Sequence, residues 1–166
     1  MKKLNRKFFR RDTLKVAQEL LGKKIVRVLA SGEEIGGIIT ETEAYLGVKD
    51  RACHSYGGRC TKRNEIMYKE GGYVYVYFTY GMHWVLNIIT KEINCPEGVM
   101  IRGVDKVIGP GRVTKYLQIG KEFYGEDITK SKRIWIEETN IKVGPRKIIK
   151  LPRIGIDYAG SGRISY

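Results

Sequence analysis

The chain has 166 residues, with 31 Lys and Arg against 18 Asp and Glu, a net charge of +13 and a pI near 9.7. That is enough for one domain around a single core, and too basic to ignore polyanions, nucleic acid foremost. No run of roughly 18 apolar residues occurs, which excludes a transmembrane helix, and the basic residues 1–7 are not followed by an apolar stretch of signal-peptide length, so a cytoplasmic protein is expected.

Along the chain, residues 12–21 read as a helix. Asp12 is placed to cap it, Leu14, Ala17, Leu20 and Leu21 line one stripe, and Gly22 stops it. Residues 24–30, with β-branched Ile25, Val26 and Val28, read as a strand. Residues 31–34 make a turn, and residues 35–45 a returning strand. Residues 46–72 are rich in Gly, charge and small polar groups without a period. A loop this long inside a compact domain tends to be functional.

Residues 73–78 then alternate Tyr73, Tyr75 and Tyr77 with Val74, Val76 and Phe78 as a strong strand. Thr79-Tyr80-Gly81 reads as a turn, with return strands at residues 84–90 and 98–104. Residues 109–119 are basic and weakly helical, while residues 133–137 and 147–151 are short strand candidates. One helix followed mostly by hairpins points to a single α+β domain over residues 1–166, built on a curved antiparallel sheet with flanking helices.

Three constellations stand out. Period-2 alternation puts Glu41, Glu43 and Tyr45 on one strand face, where paired carboxylates beside an aromatic serve acid–base chemistry or merely a solvated surface. Within the long loop, Asp50-Arg51-Ala52-Cys53-His54-Ser55-Tyr56-Gly57-Gly58-Arg59 mixes a His, basic groups and a Gly pair whose backbone a ligand can approach closely. Finally, Tyr80 sits where the chain reverses after the tyrosine strand. A large aromatic at a hairpin tip cannot bury itself and suits a wedge entering a base stack, with Tyr45, His54 and Tyr77 as stacking walls for an extruded base.

The cysteines, Cys53, Cys60 and Cys95, are odd in number and form no CxxC pair, which points to free thiols. The set Cys53, His54, Cys60 and His83 has the spacing of no standard zinc module, so no metal is expected.

Taken in order, several segments strongly resemble the 3-methyladenine DNA glycosylases of the alkyladenine (methylpurine) type. They are Thr42-Glu43-Ala44-Tyr45-Leu46-Gly47, Ala52-Cys53-His54-Ser55, Gly57-Gly58-Arg59, Arg63-Asn64, the stretch from Tyr75 to His83, and Asn87. Weaker matches reach Arg153-Ile154-Gly155-Ile156. The resemblance implies a mixed α/β domain with a protruding β-hairpin and no metal or cofactor.

It also implies roles. Glu43 is the general base for a water, and Arg102 sits near that water and a backbone phosphate. Tyr45, His54 and Tyr77 stack on the flipped base, and Tyr80 intercalates from the minor groove. Asn87 gates the pocket against guanine's amine, while the backbone at Ala52, His54 and Ile156 contacts base or water. The chain departs from the family at its end, where Ser161-Gly162 stand in place of a Glu-Trp pair.

The expected activity is hydrolysis of alkylated, and by extension deaminated, purines from duplex DNA. No lyase step is expected, because no Lys falls at the pocket positions and such a step needs an amine. A monomer acting on double-stranded DNA at the nucleoid, away from membranes, is the expected setting. Two non-catalytic alternatives use the same charge and aromatics. One is a nucleic-acid-binding module, and the other is a tRNA-contacting domain of the formyltransferase C-terminal type. Glu43 discriminates, since a carboxylate facing a polyanion is costly unless it reacts.

Overall fold

The computed structural model describes residues 2–153. A short helix α1 (Arg6–Phe9) precedes α2 (Thr13–Leu20), where the Asp12 side chain accepts from Lys15 N at 3.1 Å and satisfies one of the helix's free first-turn donors. The strands follow as β1 (Lys24–Val28), β2 (Glu34–Tyr45), β3 (Val74–Thr79), β4 (His83–Thr90), β5 (Glu97–Val104), β6 (Val107–Ile108) and β7 (Ile134–Glu137), with α3 (Pro110–Tyr116) after β6. All pairings are antiparallel, in the order β3-β4-β5-β2-β1-β7, and β6 pairs with β5. The α+β class and the curved antiparallel sheet expected from the sequence are what the chain adopts.

The curvature is concentrated in β2. Its first half pairs with β1 and its second half with β5, with register shifts between Ile39 and Thr42. Extra residues of this kind bend a strand and re-aim its side chains. Gly36 lies just before the bend, where a Cβ would stand 2.1 Å from the Ile25 carbonyl oxygen. Only glycine permits that approach.

Register then sorts the side chains onto two faces. Ala44, Val99, Ile88 and Val74 lie opposite one another across β2, β5, β4 and β3, and all four enter the main core with residues of α2 and α3. The next row, Glu43, Met100, Asn87 and Tyr75, must therefore point to the other face. So must Tyr45, Gly98 and Ile89 in the row after it. A second, smaller cluster of Cys53, Ile66, Met67, Tyr75 and Ile89 builds up there, beneath the loop that joins β2 to β3.

That loop is ordered by polar groups rather than by regular structure. It contains three single 3₁₀ turns, at Gly47–Lys49, Tyr56–Gly58 and Glu65–Tyr68. The buried Asn64 side chain accepts from Thr61 N and donates to the carbonyls of His54 and Arg59. Asp50 accepts from Leu46 N and Ala52 N. Such bonds answer the requirement that buried backbone donors and acceptors be paired.

The β3–β4 hairpin protrudes. β4 pairs with β5 only from Asn87 onward, so residues 83–86 and their β3 partners run past the sheet. α3 buttresses the hairpin's base, where Thr114 Oγ1 donates to the Trp84 carbonyl at 2.8 Å. Residues 147–151 do not form the strand expected of them. Pro145–Lys147 makes a 3₁₀ turn, residues 148–150 are irregular, and only a single bridge residue, Leu151, follows, with the apolar Ile149 and Leu151 exposed.

Candidate active site

The row on the far face of the sheet supplies a carboxylate, an amide and a phenol. The loop above adds an imidazole and backbone groups. Together, Tyr45, Ala52, His54, Tyr75, Tyr77 and Asn87 line a narrow aromatic cleft with a free volume of about 20 Å³, partly open to solvent. Of the residues expected to hold a base, Tyr45, Ala52, His54, Tyr77 and Asn87 thus converge on one cleft. Ile156 lies outside the described residues.

Glu43 is 1 % exposed. A buried carboxylate is sustained only by charge pairing and hydrogen bonds, and both are present. Arg102 Nη1 donates to Glu43 Oε2 at 2.8 Å and Tyr45 Oη donates to Oε1 at 2.5 Å. The same guanidinium donates through Nε to Glu41 Oε1 at 2.9 Å, so Arg102 is shared between the two carboxylates on the β2 face. Burial pulls the Arg102 pKa down, but Glu43 and Glu41 outweigh it and the net shift is upward. Arg102 therefore remains a cation.

Burial, reinforced by the Glu43 charge, raises the phenol pKa values of Tyr45 and Tyr77, so both remain protonated donors. The opposite wall is built on His54. Its Nδ1 shares a 2.6 Å hydrogen bond with Tyr75 Oη, and its ring lies 4.6 Å from that of Tyr77 in an edge-to-face contact. Burial, then Arg63 and Arg59, lower the His54 pKa to about 4. The imidazole is thus neutral at pH 7, an aromatic plane with one free N–H or lone pair rather than a cation. Asn87 is held with its Nδ2 donating to the Tyr75 carbonyl at 3.3 Å.

Tyr80 stands apart from these groups at the tip of the hairpin and is 80 % exposed. It does not fold back into the sheet. Its φ is 52° and that of Gly81 is 67°, while Met82 N closes the turn onto the Thr79 carbonyl at 3.2 Å. Left-handed backbone suits Gly81 but is costly for a tyrosine. Strain of this kind gathers at functional positions.

A basic concavity of about 730 Å³, its open mouth included, adjoins the cleft behind Ala52 and His54 and is lined by Arg51, Arg59 and Arg63. Two features escape sequence reasoning. Tyr75 reads there as one residue of an aromatic strand, not as the partner of His54. Asp50, named only as part of the loop, forms a buried ion pair with Arg153, which is 103 positions away and carries no local signal of it. Among the described residues, no group of three or more His, Cys, Asp or Glu could hold a metal ion.

Comparison with known proteins places this geometry. The family model described as methylpurine-DNA glycosylase matches residues 7–109 and 104–166. A protein of Desulfitobacterium hafniense named "Putative 3-methyladenine DNA glycosylase" is 38% identical over 186 residues, covering 96% of this chain and 90% of its own. Relatives of the same name from Clostridium novyi and Bdellovibrio bacteriovorus are each 40% identical, over 96% and 95% of this chain and 90% and 88% of theirs. The chain belongs to the methylpurine-DNA glycosylase family.

Proposed function

We propose that the chain is a monofunctional DNA glycosylase that hydrolyses the N-glycosidic bond of an alkylated purine turned out of the duplex, and acts as a monomer. The observation that carries this reading is Glu43. It is a carboxylate buried beside an aromatic cleft in a basic protein, paired with Arg102 and bonded by Tyr45. A module that only held nucleic acid would gain nothing from such a charge.

In the proposed reaction the flipped base stacks among Tyr45, His54 and Tyr77, which favour an electron-poor, cationic purine. Glu43 accepts a proton from a water. The water oxygen bonds to C1′ of the sugar as the C1′–N bond breaks, and the bonding pair leaves with the base. A purine alkylated at N3 or N7 departs as a neutral molecule. Hypoxanthine needs a proton added to the base, so deaminated purines are the harder substrates. Asn87, buried in the cleft wall, hinders guanine's exocyclic amine, so a guanine is accepted only when alkylation has made it a cationic leaving group. General base catalysis contributes roughly 10²–10⁴-fold, and positioning contributes more.

Tyr80 enters the stack and fills the gap left by the lost nucleotide. Among the described residues, those that line the cleft include no Lys, so an imine with the sugar has no lysine amine to form from there and the strand stays intact.

The test is release of free base from duplexes carrying 3-methyladenine, 7-methylguanine, hypoxanthine or ethenoadenine. Release without strand cleavage is expected. Tight binding without release of any of them would assign the chain to the non-catalytic alternative.

A further inference from the structure

Beside the cleft lies a buried ion pair with an unusual hydrogen-bond balance. Arg153 is 4 % exposed, and its Nη2 donates to both carboxylate oxygens of Asp50 at 3.0 Å. Its Nε and Nη1 are buried as well, and neither has a partner among the described residues. The guanidinium carbon stands 4.8 Å over the centroid of the Tyr45 ring. Tyr45 lines the cleft and Arg153 does not, so the cation stacks on a wall residue without itself entering the cleft.

Asp50 carries the second half of the arrangement. Besides Arg153, it accepts from Leu46 N at 3.0 Å and Ala52 N at 3.1 Å. It thereby closes the turn that runs from the end of β2 to the backbone at Ala52. One ion pair thus grips both one cleft wall and the start of the loop that roofs the cleft.

For stability alone this is a poor use of an arginine. A buried charge with two unmet nitrogens costs desolvation that an apolar side chain of similar volume would avoid. An apolar filler, however, would neither stack as a fixed planar cation on Tyr45 nor hold Asp50 across the turn.

We propose that Arg153 is a positioning residue for base excision, and that the Arg153–Asp50 pair fixes the Tyr45 ring and the Ala52 backbone at the separation a stacked base requires. The proposal rests on the glycosylase reading. Arg153 touches neither base nor water and acts through Tyr45 and Asp50.

The experiment is single-turnover excision from a 7-methylguanine or hypoxanthine duplex at saturating enzyme, for the full chain and its Arg153→Met, Asp50→Asn, doubly substituted and Arg153→Lys forms. With enzyme in excess, a partial loss of folded protein leaves the rate constant unchanged when the enzyme is doubled to confirm saturation, whereas a misplaced wall lowers it at every enzyme concentration. We expect each of the first two substitutions to lower the rate constant by about 10–100-fold. The double variant should be no slower than the worse single one, because the pair acts as a unit. Affinity for undamaged duplex should not change.

Arg153→Lys keeps a charge for Asp50 and loses the planar stack, so its rate constant should lie between those of the wild type and Arg153→Met. It also decides the matter if the Met variant does not fold, since a wild-type rate constant in Arg153→Lys then overturns the proposal. Wild-type rate constants at saturating enzyme with lowered melting temperatures in all variants overturn it too, and reduce the pair to a structural one. A wild-type chain that releases no base overturns the glycosylase reading, and this inference with it.

Discussion

At Glu43 the chain commits a charge where charge is most expensive, and the surrounding bonds explain how it survives. Arg102 and Tyr45 engage the two oxygens, and Glu41 shares the arginine. Glu43→Gln preserves size while removing both the proton acceptor and the partner of a half-buried cation. The expected outcome is a 10²-fold or greater loss in single-turnover excision, with duplex affinity retained in a parallel titration. Near wild-type excision of a neutral lesion would remove Glu43 from the base role. His54 gives an expectation for stability. Its folded pKa of about 4 lies below the ordinary value of 6.5, chiefly through burial and then Arg63 and Arg59. The unfolded chain therefore binds the proton more readily. The sign follows from linkage: the contribution of neutral His54 is fully present above about pH 6.5 and is lost as pH falls from there toward 4. Thermal melts between pH 7 and 4 should show a decline that is smaller in His54→Gln. Equal declines would show that His54 is not the titrating group.

At the scale of elements, the clearest case is the β3–β4 hairpin. Its strands are legible in the alternation of Tyr73, Tyr75 and Tyr77 with Val74, Val76 and Phe78, and its turn in Tyr80-Gly81. The strained φ of Tyr80 is not legible, because a left-handed residue is recognised from sequence by Gly or Asn and not by Tyr. Tyr80→Gly separates two costs that Tyr80→Ala would mix. Glycine relieves the positive φ, a gain of about 1 kcal/mol, so the melting temperature should hold or rise. Flipping, read with a fluorescent base analogue, should weaken because nothing fills the vacated stack. The rate of bond breaking once the base is flipped should change less. A drop in melting temperature with unchanged flipping would make Tyr80 a structural residue. β2 and β5 show the same division. Alternation alone put Glu41, Glu43 and Tyr45 on one face, but the row that joins Glu43 to Asn87 and Tyr75 through Met100 is a matter of register between strands. Register depends on the bend at residues 39–42, which no local pattern announces. The same holds for Asp50 and Arg153, whose pairing is a property of the closed fold. The failure at residues 147–151 is the converse: an apolar, β-prone stretch forms no strand beyond a single bridge at Leu151, because propensity counts for little without a ladder to join.

For the molecule as a whole, the issue is what a net charge of +13 is for. Many of the acidic side chains are already tied to cations, as in Arg6–Asp127, Lys23–Glu138, Lys91–Glu97 and Arg102–Glu43. Arg51 and Arg59 are exposed and line the basic concavity that adjoins the aromatic cleft. A duplex strand feeding a nucleotide into that cleft must carry phosphates past its rim, so these two arginines are expected to contact the backbone. Each phosphate neutralised releases condensed counterions, and log K should fall with log salt by about 0.9 per contact. Arg51→Gln and Arg59→Gln should each flatten that slope by about 1, and should weaken damaged and undamaged duplex alike, since phosphate contacts carry no base information. Excision at saturating enzyme should be nearly unchanged, because neither side chain reaches Glu43. If the charge served only solubility, both substitutions would leave the salt slope at its wild-type value. A loss confined to damaged duplex would instead place these arginines in base recognition, and the strand would have to enter the cleft from another side.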